Sequence, residues 1–203
     1  MAITLYQGDL PDGLNLGPVV AIDTETMGLL PHRDRLCLVQ LSSGDGNAHL
    51  VQIAKGQSAA PNLQRLLADP GVVKLFHFAR FDIAALYHAF GTICAPVYCT
   101  KIASKLTRTF TDRHGLKVLL QDLVGVDISK QQQTSDWGAA TLTEAQLEYA
   151  ASDVLYLHQL KAVFDERLAR EDREAVAQAS FDYLPTRAWL DLMAGNEFDI
   201  FAH

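Results

Sequence analysis

The sequence has little cysteine, no long apolar run and no surplus of positive charge. Three cysteines occur in 203 residues, Cys37, Cys94 and Cys99. They have neither C-x-x-C spacing nor paired histidines, which argues against a zinc site and a disulfide framework and points to a reducing, cytoplasmic setting. No window approaches 18 consecutive apolar residues, so no transmembrane helix is expected. The N-terminal stretch MAITLYQGDLPDG lacks the basic run and apolar segment of a secretory signal. No GxGxxG follows the first apolar strand and no GxxxxGKS/T occurs, which argues against a dinucleotide-binding fold and a P-loop. With 17 basic and 24 acidic residues the net charge is −7. A protein that grips a long nucleic acid neutralises many phosphates. A nucleic-acid substrate here is therefore expected to be short, or held by local basic patches.

What is present is a chain that is 49% apolar, enough for one sizeable core and a single domain over 1–203. Segments 18–23, 36–42 and 49–53 read as strands, the last two joined by a hairpin through SSGDGN, and 72–78 reads as a fourth. Helices are expected at 61–68, 79–90, 99–108 and 115–124. A longer one starts at Thr143, where Gln146 completes a capping-box pattern, and runs to about 180 with a break near the charged stretch 170–174. Strands first and helices later suggest a mixed α/β sandwich.

Three acidic signals stand out. Asp23 and Glu25 follow the apolar segment PVVAI; two apart on a strand, they share a face while Thr24 points away. Adjacent carboxylates beside apolar residues are costly to bury unless a cation or a shared proton offsets the charge, and an oxygen-only site suits Mg²⁺ or Mn²⁺. The alternative is an acidic strand end facing water. Asp82, in HFARFDIAALYHAF, lies in the first turns of an apolar helix, where an acid also complements the helix dipole. Tyr149 and Asp153, four apart, share a helix face that continues through Tyr156, Leu160 and Val163. An acid in such a stripe is paired, protonated or bound to metal.

Taken in order, VVAIDTET, HFARFD and YAASDVLYL resemble the three motifs of the DEDD 3′–5′ exonuclease superfamily, in the subclass with a tyrosine in the third motif. The phrase SDWGAATLTEAQLEYAASDVLYL is similar to ribonuclease D, and the likeness runs from about residue 18 to 165. It implies an RNase H-like α/β fold with a mixed central sheet flanked by helices. It also implies hydrolysis of RNA from the 3′ end to nucleoside 5′-monophosphates with two Mg²⁺ or Mn²⁺ ions. Asp23 would bridge the ions, Glu25 and Asp153 would hold the water-activating one, Asp82 would serve the second, and Tyr149 would orient the water. Ribonuclease D proper carries C-terminal helical RNA-binding domains, for which a chain ending at His203 leaves no room. LPHRDRLCLVQLSSGDG, CTKIASKLTRTFTDRHGLK and SKQQQTSDW are similar to the short, nanoRNase C-like branch. That likeness implies very short RNA, dinucleotides above all, as substrate, and a homo-octamer. Trimming of longer RNA or DNA 3′ ends is the alternative within the class. An inactive nucleic-acid-binding scaffold is the alternative outside it, and the presence of all four acids and the tyrosine argues against that.

Further candidates are substrate contacts. Met27, Gly28 and Leu29 follow the D-x-E strand; Gly28 would let backbone approach a nucleotide, and Leu29 would wedge between bases as in related enzymes, or be ordinary core. His77 could meet a phosphate or the 3′-terminal sugar, or be structural. Lys101, Lys105 and Arg108 share a helical face by spacing, either solvated or binding the 5′ phosphate. Trp137 is expected in the core. The apolar tail 184–203 is expected to dock on the domain or on a neighbouring subunit.

Overall fold

The apolar run that ends in Asp23 becomes an inner strand of a six-stranded sheet in the computed structural model, which describes residues 2–129, 131–195 and 200. The strands are β1 (Ile3–Gln7), β2 (Val19–Thr26), β3 (Leu36–Ser42), β4 (Ala48–Gln52), β5 (Val73–Phe76) and β6 (Val97–Cys99). The helices are α1 (Pro61–Ala68), α2 (Ala79–Phe90), α3 (Thr100–Thr107), α4 (Leu116–Leu123), α5 (Glu144–Leu155), α6 (Leu157–Arg170) and α7 (Glu174–Ala194). The strand order is β1-β4-β3-β2-β5-β6. β2, β3 and β4 pair antiparallel, while β1 on β4, and β5 and β6 beyond β2, pair parallel. This mixed sheet flanked by helices is the RNase H-like α/β fold that the motifs implied.

Local chemistry explains the main elements. β3 reads LCLVQLS and every residue of it is buried, which requires cover on both faces of the sheet. The β3–β4 turn passes through Gly44 and Gly46, both at positive φ, a conformation other residues rarely adopt. At the N-terminus of α5 the Thr143 hydroxyl accepts from the Gln146 backbone N–H, and the Gln146 side chain accepts from the Thr143 N–H, as the capping-box spacing predicts.

Three features differ from the sequence reading. β1 and β6 were not expected. The long helix breaks at Tyr156 as well as at residues 171–173, so the stripe through Tyr149 and Asp153 does not continue straight into Leu160. The helix after the second break runs to Ala194, so the first half of the expected tail is regular. In α7 the buried positions are Ala177, Phe181, Leu184, Ala188 and Asp191, a helical stripe against the body of the chain, whereas Trp189 (55% exposed) and Met193 (66%) face out. Phe198 and Phe201 of that tail lie outside the described residues. Among the described residues no helix is long and apolar enough to cross a membrane.

Candidate active site

β2 and α5 bring the first and third motifs together. Asp23, Glu25 and Asp153 each offer a carboxylate oxygen, and the three lie within 4.8 Å of one another. The pleat puts Asp23 and Glu25 on one face of β2, and the β2–β3 register shifts between Glu25 and Thr26, where a strand bends and re-aims its side chains. Tyr149, one helical turn before Asp153, hydrogen-bonds to it. Asp82 is buried at the fourth position of α2 and stands beside this group rather than in it. Thr24 does turn away from Asp23 and Glu25, and its hydroxyl donates to Asp82 Oδ1 at 2.6 Å. The residue between the two acids thus anchors the acid of the second motif.

The electrostatics follow from this crowding. Burial first, and then the charges of Asp82, Asp153 and Glu25, hold the Asp23 carboxyl well above the usual carboxylate range. Burial, with Asp153 and Asp82 behind it, pushes Glu25 up to about 9. Burial raises Asp82 to about 7 against the Thr24 hydrogen bond, which pulls the other way. Tyr149 is raised too, by burial and then by Asp153, so its hydroxyl keeps its proton at neutral pH. Among the described residues no lysine, arginine or histidine forms an ion pair with Asp23, Glu25 or Asp82. Like charges so placed, with oxygen the only donor, fit hard divalent cations such as Mg²⁺ or Mn²⁺.

Asp23, Glu25 and Asp153 open into a cleft of about 640 Å³, which Asp82 does not line. Met27, Gly28, Leu29 and His77 line it with them. Leu29 is 78% exposed, so it is a rim residue and not core. A Cβ at Gly28 would overlap the Asp34 carboxylate, which accepts from the Leu30 N–H at 3.0 Å and from Arg33 Nε at 2.7 Å. That bracing fixes the loop that presents Met27 and Leu29. His77 Nδ1 sits 2.9 Å from the Thr100 hydroxyl, and burial, reinforced by Lys101, pushes its pKa down to about 3, so it is neutral.

Arg108 is not brought to the cleft. α3 ends at Thr107, and Arg108, four positions after Ser104, continues the buried stripe Thr100, Ala103, Ser104, Thr107. It is 5% exposed, bonds Asp122 Oδ2 at 2.8 Å and lies over the Phe110 ring. The helical face that its spacing suggested is lost at that one residue. Lys101 does line the cleft, with its ammonium 4.0 Å from the centre of the Phe78 ring. Trp137 is buried, as expected, and its ring packs against Tyr149 at 6.0 Å.

Sequence reasoning missed three supports. Gln40, fully buried and opposite Asp23 in the β2–β3 register, donates to Asp23 Oδ2 at 3.4 Å. A glutamine inside the apolar run LCLVQLS was the available signal. Phe78 is a cleft aromatic at positive φ, a conformation rare for a bulky residue. Thr24 was taken as facing away with no partner in view.

Comparison with known proteins agrees with this geometry. Residues 10–169 match the 3′–5′ exonuclease domain family. Ribonuclease D of Gluconacetobacter diazotrophicus is 40% identical over 156 residues, which cover 77% of this chain and 39% of that protein. The chain thus spans about two fifths of the length of that relative. Brucella melitensis NrnC with bound Mg²⁺ superposes with a TM-score of 0.96 at 60% identity, each chain fully covered. The same protein bound to pGG gives 0.97 at 61%, covering 100% of this chain and 99% of that one. The chain belongs to the 3′–5′ exonuclease family, in its ribonuclease D-like, nanoRNase C-like branch.

Proposed function

We propose that the protein is a divalent-metal-dependent 3′–5′ exoribonuclease that hydrolyses very short RNA, dinucleotides above all, to nucleoside 5′-monophosphates. The observation that carries this reading is the meeting of Asp23, Glu25 and Asp153 within 4.8 Å at a cleft shared with Tyr149. The pGG held by the Brucella protein and the −7 net charge of this chain support a short substrate.

Asp23, Glu25 and Asp153, with Asp82 beside them, would hold two Mg²⁺ or Mn²⁺ ions. When bound, such ions activate water and stabilise charge on the transferring phosphoryl group. In the reaction, water attacks phosphorus and the P–O3′ bond breaks, leaving a 5′-phosphate on the released nucleoside and a 3′-hydroxyl on the remainder. Tyr149 orients that water through its hydroxyl and does not remove its proton, because its own proton is held tightly. Gln40 fixes the rotamer of Asp23, and Thr24 that of Asp82. Met27 and Leu29 contact the bases from the rim, with Leu29 as the wedge, and His77 meets the terminal sugar or phosphate as a neutral group. The protein works in the cytoplasm as a homo-oligomer, an octamer by likeness. The chain is one domain, and α7 docks on that domain by its buried stripe and on a neighbouring subunit by the face that bears Trp189 and Met193.

A second reading, trimming of longer RNA in the manner of ribonuclease D, draws on the 40% identity to that enzyme. Initial rates on 5′-labelled RNAs of two, seven and thirty nucleotides at fixed salt separate the two. The fastest turnover is expected on the dinucleotide, and a preference for the longest RNA would move the assignment to the second reading.

A further inference from the structure

Beyond the cleft, a charged contact with a buried carboxylate joins α7 to the start of α2. Asp191, 3% exposed, takes both Nε and Nη2 of Arg80, at 2.5 and 2.6 Å. A second guanidinium, that of Arg187, reaches the same carboxylate at 3.0 Å. Asp191 occupies the last position of the stripe Ala177, Phe181, Leu184, Ala188, an acid where the repeat calls for an apolar residue. Such a substitution in a packed face is costly unless the charge is paired with good geometry, and the two-pronged contact supplies it.

The location of Arg80 gives this contact its meaning. It lies in the first turn of α2, two residues before Asp82. At 3.6 residues per turn, two positions are about 200° apart around the helix axis, so Arg80 and Asp82 leave opposite sides of the same turn. Asp82 is held by Thr24 of β2 and Arg80 by Asp191 of α7. The N-cap position of α2, Phe78, provides no side-chain cap. The turn that carries Asp82 is thus gripped from both flanks instead of being capped. The α7 partner lies outside residues 10–169, the extent of the family domain.

We infer that Asp191, acting through Arg80, is a positioning residue for Asp82: helix α7 completes the metal site of the exonuclease core without touching it. Loss of the clamp frees the first turn of α2 to shift, and the carboxylate of Asp82 shifts with it. The inference rests on the metal-dependent reading of the site, and it is specific to Asp82. It does not concern Asp23, Glu25 or Asp153, which β2 and α5 hold independently of α7.

The test compares Asp191→Asn with Leu184→Ala, a variant that loosens α7 at a buried position away from the clamp. Both are measured for melting temperature, for Mn²⁺ binding to the metal-free protein by calorimetry, and for kcat and KM on a diribonucleotide. Asp191→Asn is expected to weaken the lower-affinity Mn²⁺ site and to lower kcat, each about tenfold, with KM unchanged. Leu184→Ala is expected to lose stability and keep both. Unchanged Mn²⁺ binding in Asp191→Asn, or an equal shift in Leu184→Ala, would overturn the inference. Should Asp191→Asn fail to fold, Arg80→Lys, which keeps the charge but loses the fork, takes its place with the same expectations. A wild-type protein that binds Mn²⁺ yet leaves RNA intact would defeat the nuclease reading alone, and calorimetry would still decide the clamp.

Discussion

At the end of β2, Asp23 and Glu25 crowd together with Asp153, and among the described residues no ion pair to a basic side chain answers either of the first two. At the end of α7, Asp191 is buried more deeply than either, and two arginines close on it. The contrast shows that burial alone does not mark a functional acid. A buried carboxylate that the chain compensates with its own cations is complete in the folded protein. Asp23 and Glu25, left without such cations among the described residues and both raised toward the neutral form, are stable only with a proton or a metal supplied from outside.

Breaking the uncompensated set should have the largest effect. Asp23→Asn is expected to reduce RNA hydrolysis about a thousandfold, since several kcal/mol of transition-state stabilisation would depend on metal held by this acid and each 1.36 kcal/mol is a factor of ten. The same change removes a repelling charge, so the metal-free variant should melt at or above the wild-type temperature. Breaking the compensated acid should do the reverse. Asp191→Ala strands two partly buried guanidiniums and is expected to cost about 3 kcal/mol in urea unfolding. A loss of stability in Asp23→Asn as large as that in Asp191→Ala would erase the distinction between the two places.

Acidity gives a third measurement. Glu25 at about 9 and Asp82 at about 7 lie above the usual carboxylate values near 4. The metal-free native state then holds protons that the unfolded chain releases, so these groups lower stability as pH rises from roughly 4 to 9. His77, pushed down to about 3, acts in the opposite sense but only below about pH 6.5. Between pH 7 and 9 the carboxylates therefore set the slope, and the melting temperature of chelated protein is expected to fall. Mg²⁺ at a hundred times its dissociation constant should restore about 2.7 kcal/mol at the alkaline end. A level profile without metal would mean that the site holds no shared charge to relieve.

The two places also differ in how far the sequence exposes them. The acids of the site are legible because their supports are local: D-x-E on a strand and Y-x-x-x-D on a helix fix which side chains share a face before any tertiary contact is known. The same is true of β2, β3, β4, the turn at Gly44 and Gly46, and the capping box at Thr143. Asp191 is not legible in this way. Its partner Arg80 is 111 positions distant, and no periodicity predicts that two helices will meet with those residues opposed. The single-residue break at Tyr156 escapes for a related reason, since neither proline nor glycine marks it. β1 and β6 are short edge strands of five and three residues whose pairing depends on neighbours far along the chain. At Gly28 the close neighbour that a Cβ would meet is Asp34, six positions on in the same loop, and no spacing rule shows that contact in advance.

Within the compensated acid the two arginines should not count equally. Arg187 meets Asp191 from one turn away on α7 itself, so the pair forms whenever that helix does and adds little that links separate parts of the fold. Arg80 reaches it from another helix with both prongs, so its contact exists only in the assembled structure. Arg187→Met keeps much of the aliphatic stem, leaves Asp191 paired to Arg80, and is expected to cost only about 0.5 kcal/mol in urea unfolding, with kcat unchanged. A cost near that of Asp191→Ala, or a fall in kcat, would show that the carboxylate needs both guanidiniums to stay buried, and the clamp on α2 would then be a three-membered network instead of a pair.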